Sequence, residues 1–481
     1  MLRKLAIPSL PDVFFAVLLI SAFAQPAGLR SLLVDGDTGW HIRTGELVLA
    51  SGHVPQVDQY SFTRAGAPWF AWEWLSDVLF ARLNSWRGVT AVAAMAGVVL
   101  ALALALMFLR LLRRGCGLWI SLAATLAAAS ASSVHYLARP HVFSILFYTL
   151  ALWAVDEDRR KPGRWVWLLV PLTALWANLH AGFVAWLATL ALVTVVCRSR
   201  RYLLLTAACG AASLANPYGW KLHQHVIDYL GSKWIVEHVQ EFQSPNIRSE
   251  GMVVFAVLLL AAVALTWRAE KLEAVLVLFW GFAAMRSARH VPLFAIAAAP
   301  VVASGIATFW QKFAAQVHVR HAARIAWEMG RDLAREARIT LWLPVSALAV
   351  MLAVPAVGFP DSIFPRDAVE HNLARLAPAG RMPRILTSDQ WADYLIFRLY
   401  PRQRVFFDGR SDFYGAALGA DYRKLLVAER PWREVIDRYG FELALLPHDW
   451  PLSTTLDREP GWRRVYEDRV GVLFARGEAT P

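Results

Sequence analysis

Only three cysteines occur in the 481 residues, Cys116, Cys197 and Cys209, and all lie in or beside apolar runs. They imply no disulfide framework, and the segments assigned below to the exterior contain none. Charge is scarce as well: Asp, Glu, Lys and Arg make up 18% of the chain. The middles of the long apolar runs are nearly free of it. No tandem repeat, no low-complexity tract and no Gly-rich phosphate loop before a helix is present. Apolar surface is plentiful instead, with 57% hydrophobic residues, 22 Trp and a mean hydropathy of +0.40. That is too apolar for a soluble protein and matches a multi-span membrane protein. The formal net charge of +12 comes largely from Lys and Arg beside the apolar runs, where they mark cytoplasmic loops. It calls for no nucleic acid.

Apolar runs long enough to cross a bilayer, or nearly so, recur near 12–30, 89–110, 118–135, 141–155, 165–179, 181–197, 202–216, 251–267, 271–286, 291–309 and 341–358. The first follows a basic end and closes in small residues, so a cleaved signal peptide competes with a retained helix. Either reading sends Asp35 outside, and the long series that follows favours retention. Segment 70–87 (FAWEWLSDVLFARLNSWR) is apolar on one side but carries Glu73, Asp77, Arg82 and Arg87. It reads as an amphipathic helix in the membrane interface within a first outer loop, 31–88. With the N-terminus inside, the cytoplasmic segments hold 20 Lys and Arg against 11 in the longer outer ones. This satisfies the positive-inside rule. A twelfth span at 70–87 would put RLLRR and CRSRR outside.

The expected fold is therefore a polytopic α-helical membrane protein of about 11 transmembrane helices, 1–358. A small extracytoplasmic α/β domain, 359–481, follows it. In that domain the β-like runs RILTS, RVFFDGR, ELALLP, RRVYED and VGVLFAR alternate with helical stretches near 389–399, 416–428 and 431–439. Segment 310–340 reads as a basic amphipathic helix on the cytoplasmic surface, its basic face suited to lipid headgroups.

The unusual polar motifs share one face. Asp35 and Asp37 open the first outer loop, followed by Trp40, His41, Asp58 and Glu73. HYLARPH sets His135, Arg139 and His141 at an outer junction, and WANLHAG sets Asn178 and His180 at the next turn. Asn216, His223, His225, Glu241 and Asn246 occupy the long outer loop, and Arg286, Arg289 and His290 the last outer turn. The cytoplasmic turns are plain charge runs without His. Each motif has a bland reading: a snorkelling Arg, a packed His, an Asn-Pro-Gly turn. Together, four His/Arg/Asn-rich turns and a carboxylate-rich loop point to a polar cavity opening outward, able to hold an anionic group such as phosphate.

The motifs DGDTGWHIRTGE, VPQVDQYSFT, PWFAWEWL, ARPHVFS, WANLHAGF, NPYGW, RSARHVPLFA and FFDGRSDFYG, over essentially the whole chain, resemble a bacterial branch of the GT-C membrane glycosyltransferases. That superfamily includes the protein O-mannosyltransferases, the oligosaccharyltransferase catalytic subunit and the lipid A aminoarabinose transferase. The resemblance implies transfer of a sugar from a polyprenyl-phosphate-linked donor to a glycan, lipid or protein acceptor, at the outer face of the bacterial inner membrane. It implies an essential carboxylate in the first-loop motif, with Asp37 in that position and Asp35 its competitor. The motif departs from both the adjacent Asp-Glu pair and the version followed by a tyrosine-rich stretch, so the base and metal-ligand roles stay unseparated. Without a metal, Asp37 deprotonates the acceptor while His41 orients it or meets the phosphate. With Mg²⁺ or Mn²⁺, Asp35, Asp37, His41 and Glu73 are the hard ligands on offer. Arg139, His141, Arg286, Arg289 and His290 are the candidates for the leaving phosphate, and Asn178, His180, Asn216 and Glu241 for the cavity wall. Asp408, Arg410 and Tyr414, with Phe413, are candidates for contacting the acceptor.

A transporter or flippase for a lipid-linked glycan would also use an outward polar cavity. It calls for symmetric halves and polar residues at mid-depth, and neither is visible. A non-catalytic scaffold would make the outer clusters incidental. Span parity and basic-loop placement agree that the C-terminus is outside. A reporter active only in the cytoplasm, fused after Pro481, is therefore expected to be silent; activity there would overturn the topology.

Overall fold

The structure, a computed structural model, describes residues 5–24 and 26–477. The chain ends to which the orientation refers lie outside those residues. Each of the eleven apolar runs carries a helix: Leu10–Phe23, Val89–Arg113, Leu118–Ser132, His141–Arg160, Leu169–Leu179, Phe183–Cys197, Arg200–Ala212, Glu250–Leu265, Lys271–Arg286, Val291–Gln316 and Trp342–Ala353. Among the described residues, four stretches are long and apolar enough to cross a membrane: Val89–Arg113, Leu118–His135, Gly251–Arg268 and Ala288–Gln316. Leu10–Phe23 and Ala27–Leu33, bent by 89°, make a fifth if they form one broken span. The others are short, such as the 11-residue Leu169–Leu179, or charged at one end, as in the DEDRR close of His141–Arg160.

Contacts group the chain into two compact units. One comprises Met1–Leu29, Ala94–Lys221 and Glu237–Pro355; the other comprises Arg30–Ala93, Leu222–Val236 and Ala356–Pro481. This grouping cuts across the boundary drawn from sequence at residue 358, because the first outer loop folds with the C-terminal chain.

In the first unit the Val291–Gln316 helix is the hub. It packs against the helices Leu118–Ser132, His141–Arg160, Glu250–Leu265 and Lys271–Arg286. Its buried face is built from Ala295, Ala297, Ala298, Ala299 and Ala303. Small residues let helix backbones approach closely, which matters where lipid supplies no hydrophobic drive between helices. Segment 310–340 is two elements rather than one: the end of this hub helix, and a separate helix Ala322–Arg335. Trp327 of the latter joins Leu111, Cys116, Ala303 and Ala307 in a buried cluster.

In the second unit the Asp37–Ser51 helix packs against Trp74–Arg87 and Asp389–Leu399. A Cβ on Gly45 would fall 1.9 Å from the Asp77 carbonyl oxygen, so only glycine permits the first of these approaches. The charged side expected for 70–87 divides accordingly. Asp77 is fully buried, and Arg82 and Arg87 stay on the outside. A four-stranded sheet, β1 (Ile385–Leu386), β2 (Leu443–Pro447), β3 (Trp462–Glu467) and β4 (Gly471–Arg476), has the order β1-β2-β4-β3. Only β1 and β2 run parallel. RVFFDGR forms no strand: Val405 makes isolated parallel bridges to Ser61 and Ile385, and the chain bends directly after it. The helix expected near 416 begins earlier, at Ser411, and bends at Gly415, whose φ of 75° suits glycine.

Beside Val405 the unit is pinned by charge. Arg410 Nε donates to Asp408 Oδ1 (2.8 Å), and Nη2 donates to Asp408 Oδ2 and to Asp58 Oδ1 (2.7 Å each). Tyr414 Oη donates to Asp408 Oδ2 at 2.6 Å. The guanidinium lies over the rings of Trp69 (4.6 Å), Tyr60 (4.9 Å) and Phe413 (5.1 Å). Asp58 is held in turn by the amides of Tyr60 and Ser61. Removing one partner of such a buried network leaves an uncompensated charge and costs about 3–5 kcal/mol. Arg410→Ala is therefore expected to lower thermal stability sharply. Arg410→Lys should not restore it, because an ammonium cannot reproduce the forked contacts. Wild-type stability in Arg410→Lys would refute the fork's importance.

Candidate functional site

The Asp37 carboxylate is placed by a helix start. Gly36 is the N-cap and Asp37 the first helical residue, and its amide donates to Asp35 Oδ1 at 2.9 Å. The Gly36 amide donates to Gln390 Oε1 at 2.7 Å. Two carboxylates at a helix N-terminus are favoured by the unpaired amides there. Asp35 is half-buried and committed to this cap, whereas Asp37 is only 5% exposed.

A second carboxylate, which the sequence reading did not single out, stands beside Asp37. Asp393 is fully buried on the Asp389–Leu399 helix and accepts the Gly409 amide at 3.1 and 3.2 Å. A Cβ on Gly409 would sit 2.1 Å from Asp37 Oδ1 and 2.7 Å from Asp393 Oδ2. The two oxygens are thus no farther apart than those lengths end to end. Glycine at 409 is required by this crowding, and its φ is not in the left-handed region. Burial first, then the neighbouring Asp37 and Asp408, hold the Asp393 carboxyl well above the usual carboxylate range. A signal existed in the sequence: one Asp inside the otherwise buried run from Trp391 to Ile396.

His41 faces away from that pair. Its Nδ1 lies 2.6 Å from Asp77 Oδ1 and its Nε2 3.5 Å from Glu73 Oε2, with the ring stacked on Trp40 at 3.6 Å. Burial, then Glu73, hold Asp77 well above its ordinary value. Asp35, Asp37 and His41 therefore do not converge as ligands. Among the described residues no group of three or more His, Cys, Asp or Glu is arranged to hold a metal ion. The donors present do not fit the Mg²⁺ or Mn²⁺ set expected from them.

Asp408, Arg410 and Tyr414 are buried and spend their polar groups on one another and on Asp58. They brace the unit from within; this position does not suit them to hydrogen-bond an acceptor.

The cation candidates lie in the helical unit. Arg139 Nη1 meets Glu241 Oε1 at 2.6 Å, and Arg289 lies 4.3 Å over the Phe242 ring. Burial alone would raise the Glu241 carboxyl, but Arg139 and Arg289 outweigh it and hold it well below its ordinary value. Arg286 is exposed and is not drawn into this group. His135 Nε2 lies 3.1 Å from the Ala288 carbonyl, and His141 Nε2 lies 2.5 Å from that of His135. His180 Nδ1 accepts from the Gly182 amide (2.9 Å), so Ser144 Oγ, 2.7 Å away, must donate to it. The ring proton of neutral His180 is then on Nε2. His290 packs near Trp280. Asn178 and Asn216 spend their amides on backbone carbonyls of Ala174 and Ala215, and of Ser213. They are turn and helix-end residues, as the bland reading had it.

The architecture is mostly helical, with a small four-stranded sheet formed by the C-terminal part of the chain. Among solved structures the chain is similar to ArnT from Cupriavidus metallidurans bound to undecaprenyl phosphate. The TM-score is 0.52 at 15% identity, covering 97% of this chain and 98% of that one. It is also similar to the same protein in the apo state, with a TM-score of 0.51, 15% identity, and 96% and 97% coverage. At that identity the likeness is one of fold. No protein-family model and no curated protein matches the chain.

The raised Asp393 carboxyl has a consequence for stability. The folded state holds its proton more tightly than the unfolded chain does. Its contribution is therefore full below the ordinary Asp value, about 3.9, and is lost as pH rises through the raised one. Asp393→Asn keeps the shape and removes the charge, so melting temperatures measured against pH should decline less steeply across that window. A decline as steep as the wild type's would remove Asp393 as a source.

Proposed function

We propose that the protein is a membrane glycosyltransferase that moves a sugar from a polyprenyl-phosphate-linked donor to an acceptor on the outer face of the inner membrane. The eleven apolar helices cross the bilayer in this reading, the N-terminus is cytoplasmic, and 359–481 is outside. The observation that carries it is the likeness of fold, over nearly the whole length of both chains, to a protein crystallised with undecaprenyl phosphate. The carboxylate set in the second unit supports it.

In this reading Asp37 takes the proton of the acceptor hydroxyl as the oxygen attacks the anomeric carbon. Asp393, buried and proton-holding, keeps the pair at one negative charge, because two carboxylates so close do not both ionise readily. The bond from the anomeric carbon to the donor phosphate oxygen breaks, and the phosphate leaves with its charge. Within the helical unit, taken by itself, Arg139 and Arg289 are gathered around Glu241, and guanidinium groups of this kind are suited to binding phosphate. His41, fixed by Asp77 and Glu73, positions the helix that carries Asp37.

Asp37→Asn is expected to lower transfer from a polyprenyl-phosphate sugar ~10²–10⁴-fold, with the folded protein retained. Asp35→Asn should cost far less. The assay is turnover by purified protein in lipid, with folding checked by melting temperature. If Asp35→Asn alone abolished transfer, the two roles would be exchanged. Full activity in both variants would sink the assignment.

A further inference from the structure

The helical unit holds a second polar centre that the proposed reaction does not use. It lies at the other end of the His141–Arg160 helix from His141. Twenty residues at 1.5 Å each separate the two ends by roughly 30 Å. The basic-loop bias assigns this end to the cytoplasm.

A cavity of about 570 Å³ opens there, lined by Arg114, Asp156 and Glu273 at its floor and by Arg159, Arg160 and Arg268 toward its mouth. Its walls come from the ends of helices distant in sequence, and Leu265 and Val301 add an apolar side. The floor is a network of charges. Asp156 binds Arg110 (Nε, 2.7 Å) and Arg114, and Arg114 also reaches Glu273. That network is neutral by itself, two guanidiniums against two carboxylates. Yet Arg114, its side chain only 8% exposed, has a buried Nε–H with no hydrogen-bond partner, and so does Arg110 at Nη1. A buried donor on a cation left without an acceptor is costly, and native structures rarely keep one without a reason.

The mouth adds positive charge. Arg159 pairs with Glu270 at 2.7 Å, but Arg160 has only Glu157 at 3.6 Å, and Arg268 is stacked at 4.2 Å over Trp267. With Arg110 behind the floor, five arginines stand against Asp156, Glu157, Glu270 and Glu273. A cavity of ligand size, a surplus of guanidinium and an unsatisfied buried donor all call for the same thing, a compact anion with several acceptor oxygens. Basic pockets between membrane helices on the cytoplasmic side commonly take anionic lipid headgroups. The apolar wall and the largely exposed Trp267 suit such a source.

We propose that this cavity binds a phosphate group, with Arg114, Arg160 and Arg268 as its donors, and that it is separate from the candidate transfer site. A bound phosphate would add a further tie between helix ends already joined by the Asp156 network and the Arg159–Glu270 pair. The inference does not rest on the proposed glycosyl transfer.

The full-length protein in nanodiscs tests it. Melting temperature and lipid retention in native mass spectrometry are compared in pure phosphatidylcholine, in phosphatidylcholine with phosphatidylglycerol, and in phosphatidylcholine with inorganic phosphate. Arg160→Ala/Arg268→Ala alters only the mouth and leaves the floor network intact. Arg200→Ala, an exposed arginine assigned to the same face, is the control for general basicity. The expected result is a higher melting temperature and retained phosphatidylglycerol, weakened at least tenfold in the double variant and unchanged in the control. Stabilisation by inorganic phosphate alone, with the same variant pattern, would support the phosphate site and assign it a soluble ligand. No shift with either probe would overturn the proposal. Equal loss in the double variant and the Arg200 control would overturn it too.

Discussion

One buried ion pair holds the second unit together across most of the chain. Arg410 reaches Asp58, 352 residues earlier, while its other contacts keep Asp408 and Tyr414 in place. A guanidinium this deep has no water to fall back on, so its three oxygen contacts and three aromatic faces act as a single requirement. Once it is met, Val405 can bridge Ser61, and Gly409 comes to rest against the Asp37 helix start. The position of the candidate catalytic carboxylate is thus a downstream result of a structural salt bridge.

The crowding at Gly409 converts that position into chemistry. Asp408 is neutralised by Arg410, but Asp393 has only a backbone amide, and Asp37 is its near neighbour. Two carboxyls of the same type therefore sit in different electrostatic surroundings within a few ångströms. Pairs of this kind are how proteins separate proton-holding from proton-accepting roles without changing residue type. In the other unit the same logic runs with the sign reversed. There Glu241 is kept ionised by Arg139 and Arg289, and those arginines are kept gathered by Glu241.

Much of this was legible in the amino-acid sequence. Every apolar run carries a helix and four of the five β-like runs are strands, whereas the helix that starts at Asp37 was read only as part of a loop. What was hidden depends on tertiary contact. Asp77 and Asp393 sit on amphipathic helices where a carboxylate ordinarily faces water, and only the packed partner shows that they face inward. RVFFDGR has strand composition, but its neighbours in space are single bridges on two sides, so no ladder forms. Asp408 and Arg410 looked like display residues on a loop because their third partner, Asp58, lies in a distant segment. Arg286 and Arg289 are three residues apart and read alike, yet the helix ends at Arg286 and the extended Ser287 separates them, leaving Arg286 exposed and Arg289 beside Phe242. The metal set expected from Asp35, Asp37 and His41 is not assembled, because the ring nitrogens of His41 face Asp77 and Glu73 while Asp37 lies beside Gly409 and Asp393.

The shared unit formed by the first outer loop and the C-terminal chain also sets a schedule for biosynthesis. Residues 30–93 leave the ribosome long before residues 356–481, with which they pack. At ordinary translation rates the interval is on the order of tens of seconds. During that time Tyr60 and Trp69 have no guanidinium to cover them, and Asp58 no counter-ion. The nascent loop must therefore wait as an incomplete surface, open to proteases and to mispairing, until the last quarter of the chain arrives. A chaperone that covers Tyr60 and Trp69 would be most valuable in that interval.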